Sequence, residues 1–85
     1  MGNYKILIKP AAAKELEAVP KRDRLRIVRK IQALAQNPRP PGCEKLSAEE
    51  KYRVRRGWYR IVYSVHDQNQ TVLVVKVGHR REVYR

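Results

Sequence analysis

The fold is decided by the stretch KYRVRRGWYRIVY, residues 51–63, in which cationic side chains alternate with strand-forming ones. Side chains point to opposite faces along a strand, so Arg53, Arg55 and Arg60 can share one face of a β-hairpin. With Lys51 and Arg56 they place five cations within thirteen positions that hold no acid. Guanidinium groups gathered on one face are suited to binding phosphate.

A turn at residues 56–57 is expected to connect the two strands of this hairpin. In that register Arg53 lies opposite Arg60, and Arg55 lies opposite Trp58. Like charges placed directly opposite each other destabilise a sheet, and proteins tolerate this most readily where a ligand supplies negative charge. The other face of the hairpin is expected to point toward the helices and to carry Tyr52, Val54, Tyr59 and Ile61.

The residues before the hairpin predict one strand and two helices. Alternating apolar residues predict a strand over Tyr4–Lys9, and Pro10 suits the first turn of a helix that continues to Val19. Pro20 interrupts this helix. A second helix over Lys21–Gln36 is then predicted by a broad apolar stripe that is expected to face inward: Ile27, Val28, Ile31, Leu34 and Ala35.

The remaining residues predict a loop followed by a strand meander. Prolines and a glycine at 37–42 mark the loop, and residues 43–50 fit either an extended stretch or a turn. Strands are predicted over Tyr52–Arg56, Tyr59–Asp67 and Thr71–Gly78. The order β-α-α-β-β-β predicts an α+β fold with a small, mainly antiparallel twisted sheet and two helices packed on one face.

The composition restricts the class of protein. A chain of 85 residues, 42% of them hydrophobic, has room for one small folded domain, residues 1–85. The net charge of +12 attracts polyanions such as nucleic acid, an anionic membrane or an acidic protein. The single Cys43 fits a reducing compartment. Because no apolar run reaches membrane-spanning length and no signal peptide is evident, a cytoplasmic protein without membrane contact is expected.

Two motifs carry a family resemblance: YRVRRGWYRIVY at residues 52–63 and VGHRREVYR at residues 77–85. Together with the order of elements, they resemble the RelE branch of the RelE/ParE superfamily, the small basic toxins of bacterial and archaeal toxin–antitoxin pairs. The resemblance implies a toxin that enters the A site of the 70S ribosome and cuts mRNA there. It also implies a cognate antitoxin, with the toxin a monomer alone or part of a toxin–antitoxin hetero-oligomer.

The chemistry implied by the resemblance uses no metal and no cofactor. The ribose 2′-OH attacks the adjacent phosphate, which leaves a cyclic phosphate and a free 5′-OH. This requires a group that takes the 2′ proton, cations that stabilise the phosphorane charge, and a proton for the leaving oxygen. By their places in the two motifs, the resemblance implies catalytic roles for Arg53, Arg55, Arg60, Arg80 and Tyr84, with Tyr84 orienting or stacking on a nucleotide.

The identity of the proton acceptor is left open by the sequence. The best-known family member carries lysines where this chain has Arg53 and Arg55, and arginine stays protonated at ordinary pH. Lys51 is expected to face the other way along its strand. An imidazole ordinarily titrates near neutral pH, so His79 is the expected proton carrier and joins the catalytic set.

A second set of residues is expected to contact RNA: Lys51, Arg56, Trp58 and Arg81. Trp58, at the hairpin tip, suits either stacking on a base or covering the core. Arginines on the second helix, Arg22, Arg26 and Arg29, are interpreted as a solvated face that can also lie against ribosomal RNA.

Two other functions are compatible with the sequence. A ParE-like toxin would block DNA gyrase without catalysis, and would need neither the cation cluster nor the Arg80–Tyr84 pair. A plain RNA-binding module would lose affinity gradually as arginines are removed, with no cutting to lose.

Overall fold

The structure is a computed structural model that describes residues 3–46 and 51–79. These described residues form two helices and five strands. In chain order these are β1 (Lys5–Ile8), α1 (Pro10–Glu17), α2 (Lys21–Ala33), β2 (Glu44–Lys45), β3 (Lys51–Arg56), β4 (Tyr59–His66) and β5 (Thr71–His79).

The strands form one mixed sheet in the order β1-β5-β4-β3-β2. β1 and β5 are parallel, and the other neighbouring pairs are antiparallel. The predicted α+β fold is therefore confirmed, with one addition. β2 was not predicted, because its two residues, Glu44 and Lys45, are too few to show an alternating pattern.

Helix α1 begins where the sequence predicts. Pro10 occupies the first turn, where its missing N–H costs no hydrogen bond, and Lys9 before it is extended. Ala12 and Leu16 are buried from α1, and Val19 is buried just after it. Pro20 then separates α1 from α2.

Helix α2 packs through the predicted apolar stripe but ends three residues earlier than expected, at Ala33 rather than Gln36. Ile27, Ile31 and Leu34 are buried on this stripe. The backbone N–H groups of residues 34–36 donate to carbonyls three residues back, which is the tighter geometry often found at a helix end. The extended chain before β1 closes over this end, since the Tyr4 N–H donates to the Ala35 carbonyl at 2.7 Å.

The hydrophobic core lies between the helices and one face of the sheet. Tyr52 and Tyr63 stack there with ring centroids 5.9 Å apart. Alternate residues of β3, β4 and β5 complete the core from the sheet side: Tyr52, Val54, Ile61, Tyr63, Val65, Val72, Val74 and Val77.

The proline loop at residues 37–42 is held against the sheet by side-chain hydrogen bonds. The buried Tyr63 hydroxyl donates to the Pro38 carbonyl at 2.7 Å. Arg39 donates from Nε to the Tyr52 hydroxyl at 2.8 Å and forms an ion pair with Asp67, also at 2.8 Å. This loop leads directly into β2, so these hydrogen bonds and the ion pair fix where Glu44 enters the sheet.

Neither described helix is long and apolar enough to cross a membrane.

Candidate nucleic-acid interface

The three predicted arginines do share one face of the sheet, which we call the arginine face, defined by Arg53, Arg55 and Arg60. The pairing within it differs from the prediction. Arg55 is the residue opposite Arg60, and Arg53 lies opposite Val62. The expected Arg53–Arg60 and Arg55–Trp58 pairs are therefore wrong.

The turn explains this correction. It is formed by Gly57 and Trp58 rather than by residues 56–57, and Gly57 has a φ of +62°, which glycine adopts at little cost. The change moves the register by two residues. Because side chains alternate with a period of two, the face assignment survives, whereas a shift of one would have reversed it.

Arg60 is the deepest residue of the arginine face. It lies on the central strand β4 and is 0% exposed. Val62 and Ser64, its neighbours on that face, are also buried, so β4 is enclosed on both sides along most of its length. A guanidinium in such surroundings interacts strongly with any anion that reaches it, because little water screens it.

Glu44 joins the arginine face from β2 and was not among the residues expected there. It pairs with Arg53 across the strands, and its Oε1 accepts hydrogen bonds from Arg53 Nη2 at 2.6 Å and from Nε at 3.0 Å. The pKa of Glu44 is held below its ordinary value, first by this hydrogen bond and the charge of Arg53, and then by the charges of Arg55 and Arg60. The positive charges of all three arginines therefore favour the ionised form of the Glu44 carboxylate.

The signal for Glu44 was present in the sequence but weak. It is the acid that precedes a strongly basic hairpin, in a segment too short for a strand pattern. Only the antiparallel pairing of β2 with β3 places it beside Arg53.

Lys51 lies on the same face as Arg53, not on the opposite one as expected. The two residues are separated by two positions in β3, and Lys51 pairs with Ser64 while Arg53 pairs with Val62. Residues two apart on a strand point the same way. Lys51 therefore extends the arginine face toward the far end of the hairpin.

The other hairpin residues expected to contact RNA lie elsewhere. Arg56 is opposite Tyr59, on the helix-covered face, and is exposed. Trp58 is 66% exposed at the turn, so it does not cover the core. Its exposure leaves the ring accessible to a stacking partner.

His79 is not brought to the arginine face. Its partner across the strands is Tyr59, whereas Arg60 pairs with Gly78, so His79 and Arg60 point to opposite sides of the sheet. The His79 ring meets the Tyr59 ring edge to face at 5.7 Å. It lines a separate recess of about 300 Å3 beside Glu15, whose carboxylate accepts hydrogen bonds from the Val77 N–H and the Lys76 ammonium. Arg80, Arg81 and Tyr84 lie outside the described residues.

The architecture defines the class of this protein: its sheet and helices superpose on those of RelE toxins. In the RelBE2 toxin–antitoxin complex of Mycobacterium tuberculosis, the similar chain has a TM-score of 0.82 and 28% identity, covering 94% of each chain. The isolated RelE toxin of E. coli has a TM-score of 0.81 and 27% identity, covering 95% of this chain and 90% of that one.

Sequence comparison shows the family. Residues 6–84 match the model described as the ParE toxin of type II toxin-antitoxin system, parDE, and because this match spans most of the chain, the protein belongs to that family within the RelE/ParE superfamily. A shorter match, 41% identical over 34 residues, is to the toxin RelG of Mycobacterium tuberculosis; it covers 40% of this chain and 39% of that protein. The predicted superfamily is confirmed.

Proposed function

We propose that this toxin is a ribosome-dependent endoribonuclease that cuts mRNA in the A site by 2′-OH attack. The observation that carries the proposal is the arginine face: Arg53, Arg55 and Arg60 share one side of the sheet, and Arg53 binds the carboxylate of Glu44 through two hydrogen bonds. The charges of Arg55 and Arg60 also favour the ionised form of that carboxylate. A cationic face that already holds one carboxylate is suited to receive a backbone phosphate. The likeness to RelE toxins supports the same function.

In the proposed reaction, the arginines stabilise charge and Glu44 takes the proton. The bond from O2′ to phosphorus forms while the bond from phosphorus to O5′ breaks, and the departing 5′ oxygen takes up a proton from solvent. Arg60, buried at the centre of the sheet, is the cation best suited to stabilise the phosphorane, because its charge acts in a poorly hydrated place.

The assignment of Glu44 as base follows from the chemistry of the face it lies on. Guanidinium groups remain protonated, and His79 points to the other side of the sheet. A carboxylate that stays ionised accepts a proton only transiently in the transition state, which suffices for general-base catalysis. Contact with RNA phosphate would draw Arg53 from Glu44 and leave the carboxylate available.

An antitoxin is the second proposed partner. The RelBE2 structure is of a toxin–antitoxin complex, and the +12 charge of this chain favours a partner with an acidic surface. Such a partner binds the folded state and should therefore raise the melting temperature of the toxin.

The proposed cleavage is tested by induced expression in a bacterial cell, followed by primer extension on abundant messages. We expect discrete breaks within translated codons for the wild type and none for Arg60→Lys, which keeps the charge but loses the guanidinium fork. Arg22→Lys, the same change at an exposed position of α2, is the matched control and should cut normally. Intact messages in growth-arrested wild-type cells would refute the nuclease.

Gyrase inhibition is the second candidate function, favoured by the ParE description of the matching family model. It predicts growth arrest with intact messages and a loss of supercoiling activity when purified toxin is added to gyrase. Arg60→Lys should leave that inhibition unchanged, since the arginine face has no catalytic part in it.

A further inference from the structure

A cationic recess, separate from the arginine face, lies on the helix side of the sheet between α2 and the end of β3. Its volume is about 300 Å3, and the residues that line it, here called the basic recess, are Arg26, Arg29, Lys30, Ala33 and Arg56. Four of these five residues are cationic and none is acidic. The arginine face lies on the other side of the sheet.

The recess is built by two separate elements. The α2 residues at 26, 29, 30 and 33 follow the spacing of a single helix face. Arg56 comes from β3, where it shares the helix-covered face with Tyr52 and Val54. The cations are therefore gathered by the packing of α2 against the sheet and not by one flexible loop.

Within the described part of the chain, the cations of the basic recess have no acidic partner. Elsewhere, Arg53 pairs with Glu44, Arg39 with Asp67, and Lys76 with Glu15. Across residues 3–46 and 51–79, by contrast, no side chain forms a hydrogen bond or ion pair with the four cations of the recess. Four like charges around one small volume repel each other, and a bound anion would offset that cost.

We propose that the basic recess binds a phosphate group of RNA, in addition to the phosphate bound at the arginine face. Three of its four cations are arginines, whose forked donors match phosphate oxygens. The recess also adjoins the arginine face around the hairpin tip: Arg56 follows Arg55 on the opposite side of the strand, and the exposed Trp58 lies at the turn between them. The inference rests on the proposed RNA binding, but not on cleavage.

The site is tested by binding measurements that do not depend on cutting. The first probe is a fluorescent 2′-O-methyl RNA 12-mer, which lacks the attacking 2′-OH, and the second is purified 70S ribosomes. The double variant Arg29→Gln/Arg56→Gln is compared with Lys14→Gln/Lys21→Gln, which removes the same charge from exposed positions of α1 and α2 outside the recess.

We expect the recess variant to bind at least one probe about tenfold more weakly at 0.1 M salt, with the control within about threefold of wild type. The dependence of log Kd on log salt should also become shallower by about 0.7 for each single-strand phosphate that the variant no longer binds. Arg29→Lys/Arg56→Lys keeps the charge and should recover most of the affinity. The probe that responds identifies the source of the phosphate, a single strand or the ribosome.

If the recess and control variants lose affinity equally, the loss comes from net charge alone, and the proposal is overturned. Unchanged binding of both probes would overturn it as well. If the wild type cuts no message but the recess variant still binds RNA more weakly, the nuclease proposal fails while the recess stands.

Discussion

Glu44 and Arg53 face each other across β2 and β3, and one carboxylate oxygen of Glu44 accepts two hydrogen bonds from the guanidinium, at 2.6 and 3.0 Å. The pair places an acid within a face that is otherwise cationic. In the toxin alone, Glu44 supplies the negative charge that RNA phosphate would bring. In the proposed complex it is the group that takes the 2′ proton.

Glu44→Gln should lower the cutting rate by about 10²- to 10⁴-fold, because an amide cannot accept the proton. It should bind RNA as tightly as the wild type or more tightly, since the arginine face gains one net positive charge. The measurement is single-turnover cleavage of ribosome-bound message together with RNA affinity. Glu17→Gln, an equal charge change at an exposed position of α1, should affect neither.

The pH dependence separates Glu44 from an imidazole base. Since the arginines hold the pKa of Glu44 below its ordinary value, the carboxylate is ionised through the neutral range and loses that form only as pH falls through the lowered pKa. We therefore expect no fall in rate between pH 8 and about 5.5 from this group. A fall within this range that disappears in His79→Gln would assign the base to the histidine instead.

Arg55→Gln should stabilise the fold while weakening cutting. Arg55 lies directly opposite the buried Arg60, and like charges in that position repel each other. We expect the melting temperature to rise by a few degrees at low salt and the gain to shrink at 1 M salt, where the repulsion is screened. Arg22→Gln controls for the change in net charge. An equal rise in melting temperature in both variants would show that placing Arg55 opposite Arg60 does not itself destabilise the fold.

Asp67→Asn should destabilise the toxin at neutral pH and not in acid. The pKa of Asp67 is lowered, first by its hydrogen bond from Arg39 and then by that from Tyr4. A carboxylate with a lowered folded pKa adds stability above its unfolded pKa, and that stability disappears as pH falls through the folded value. Thermal unfolding should therefore show a gap between wild type and variant at pH 7 that narrows as the pH falls below the ordinary pKa of an aspartate and through the lowered folded value. A gap that does not change with pH would contradict the ionic origin.

Tyr63→Phe should cost about 1–3 kcal/mol of unfolding free energy, measured by urea denaturation. The buried Tyr63 hydroxyl donates to the Pro38 carbonyl, and its removal leaves that carbonyl without its donor. Tyr59→Phe, at a half-buried position whose hydroxyl has no hydrogen bond within the described residues, is the control and should cost less than about 0.5 kcal/mol. Equal losses in the two variants would show that the hydrogen bond from Tyr63 to the Pro38 carbonyl adds nothing measurable to the unfolding free energy.

Much of the fold was predictable because its determinants are local. Alternation along residues 51–63 assigned Arg53 and Arg60 to one face, and this held although the strand register differed from the predicted one by two residues. The apolar stripe of α2 predicted Ile27 and Ile31 as core positions. Pro10 predicted where α1 begins, and Pro20 predicted the break between the two helices, since a proline acts on its own backbone and that of its neighbours. The helix ends were less well predicted, because α1 ends at Glu17 and α2 at Ala33, each before the expected residue.

The residues around the candidate site were less predictable because they depend on pairing between distant segments. Glu44 acts on Arg53 only because β2 pairs with β3, and a two-residue strand has no periodicity to read. His79 was expected beside the arginines, yet its register opposite Tyr59 turns it to the other side of the sheet. In a strand one residue of register decides the face, and register is set by turns and packing.

The sequence by itself determined the α+β order of elements, the apolar faces and the concentration of cations in the hairpin, because each follows from periodicity, backbone restriction or composition. Tertiary structure alone decided that Arg60 is buried with no exposed surface, that Glu44 lies among three arginines, and that Arg56 meets the cations of α2. Burial and charge coupling depend on which segments pack together in space, and a one-dimensional pattern of residues does not contain that information.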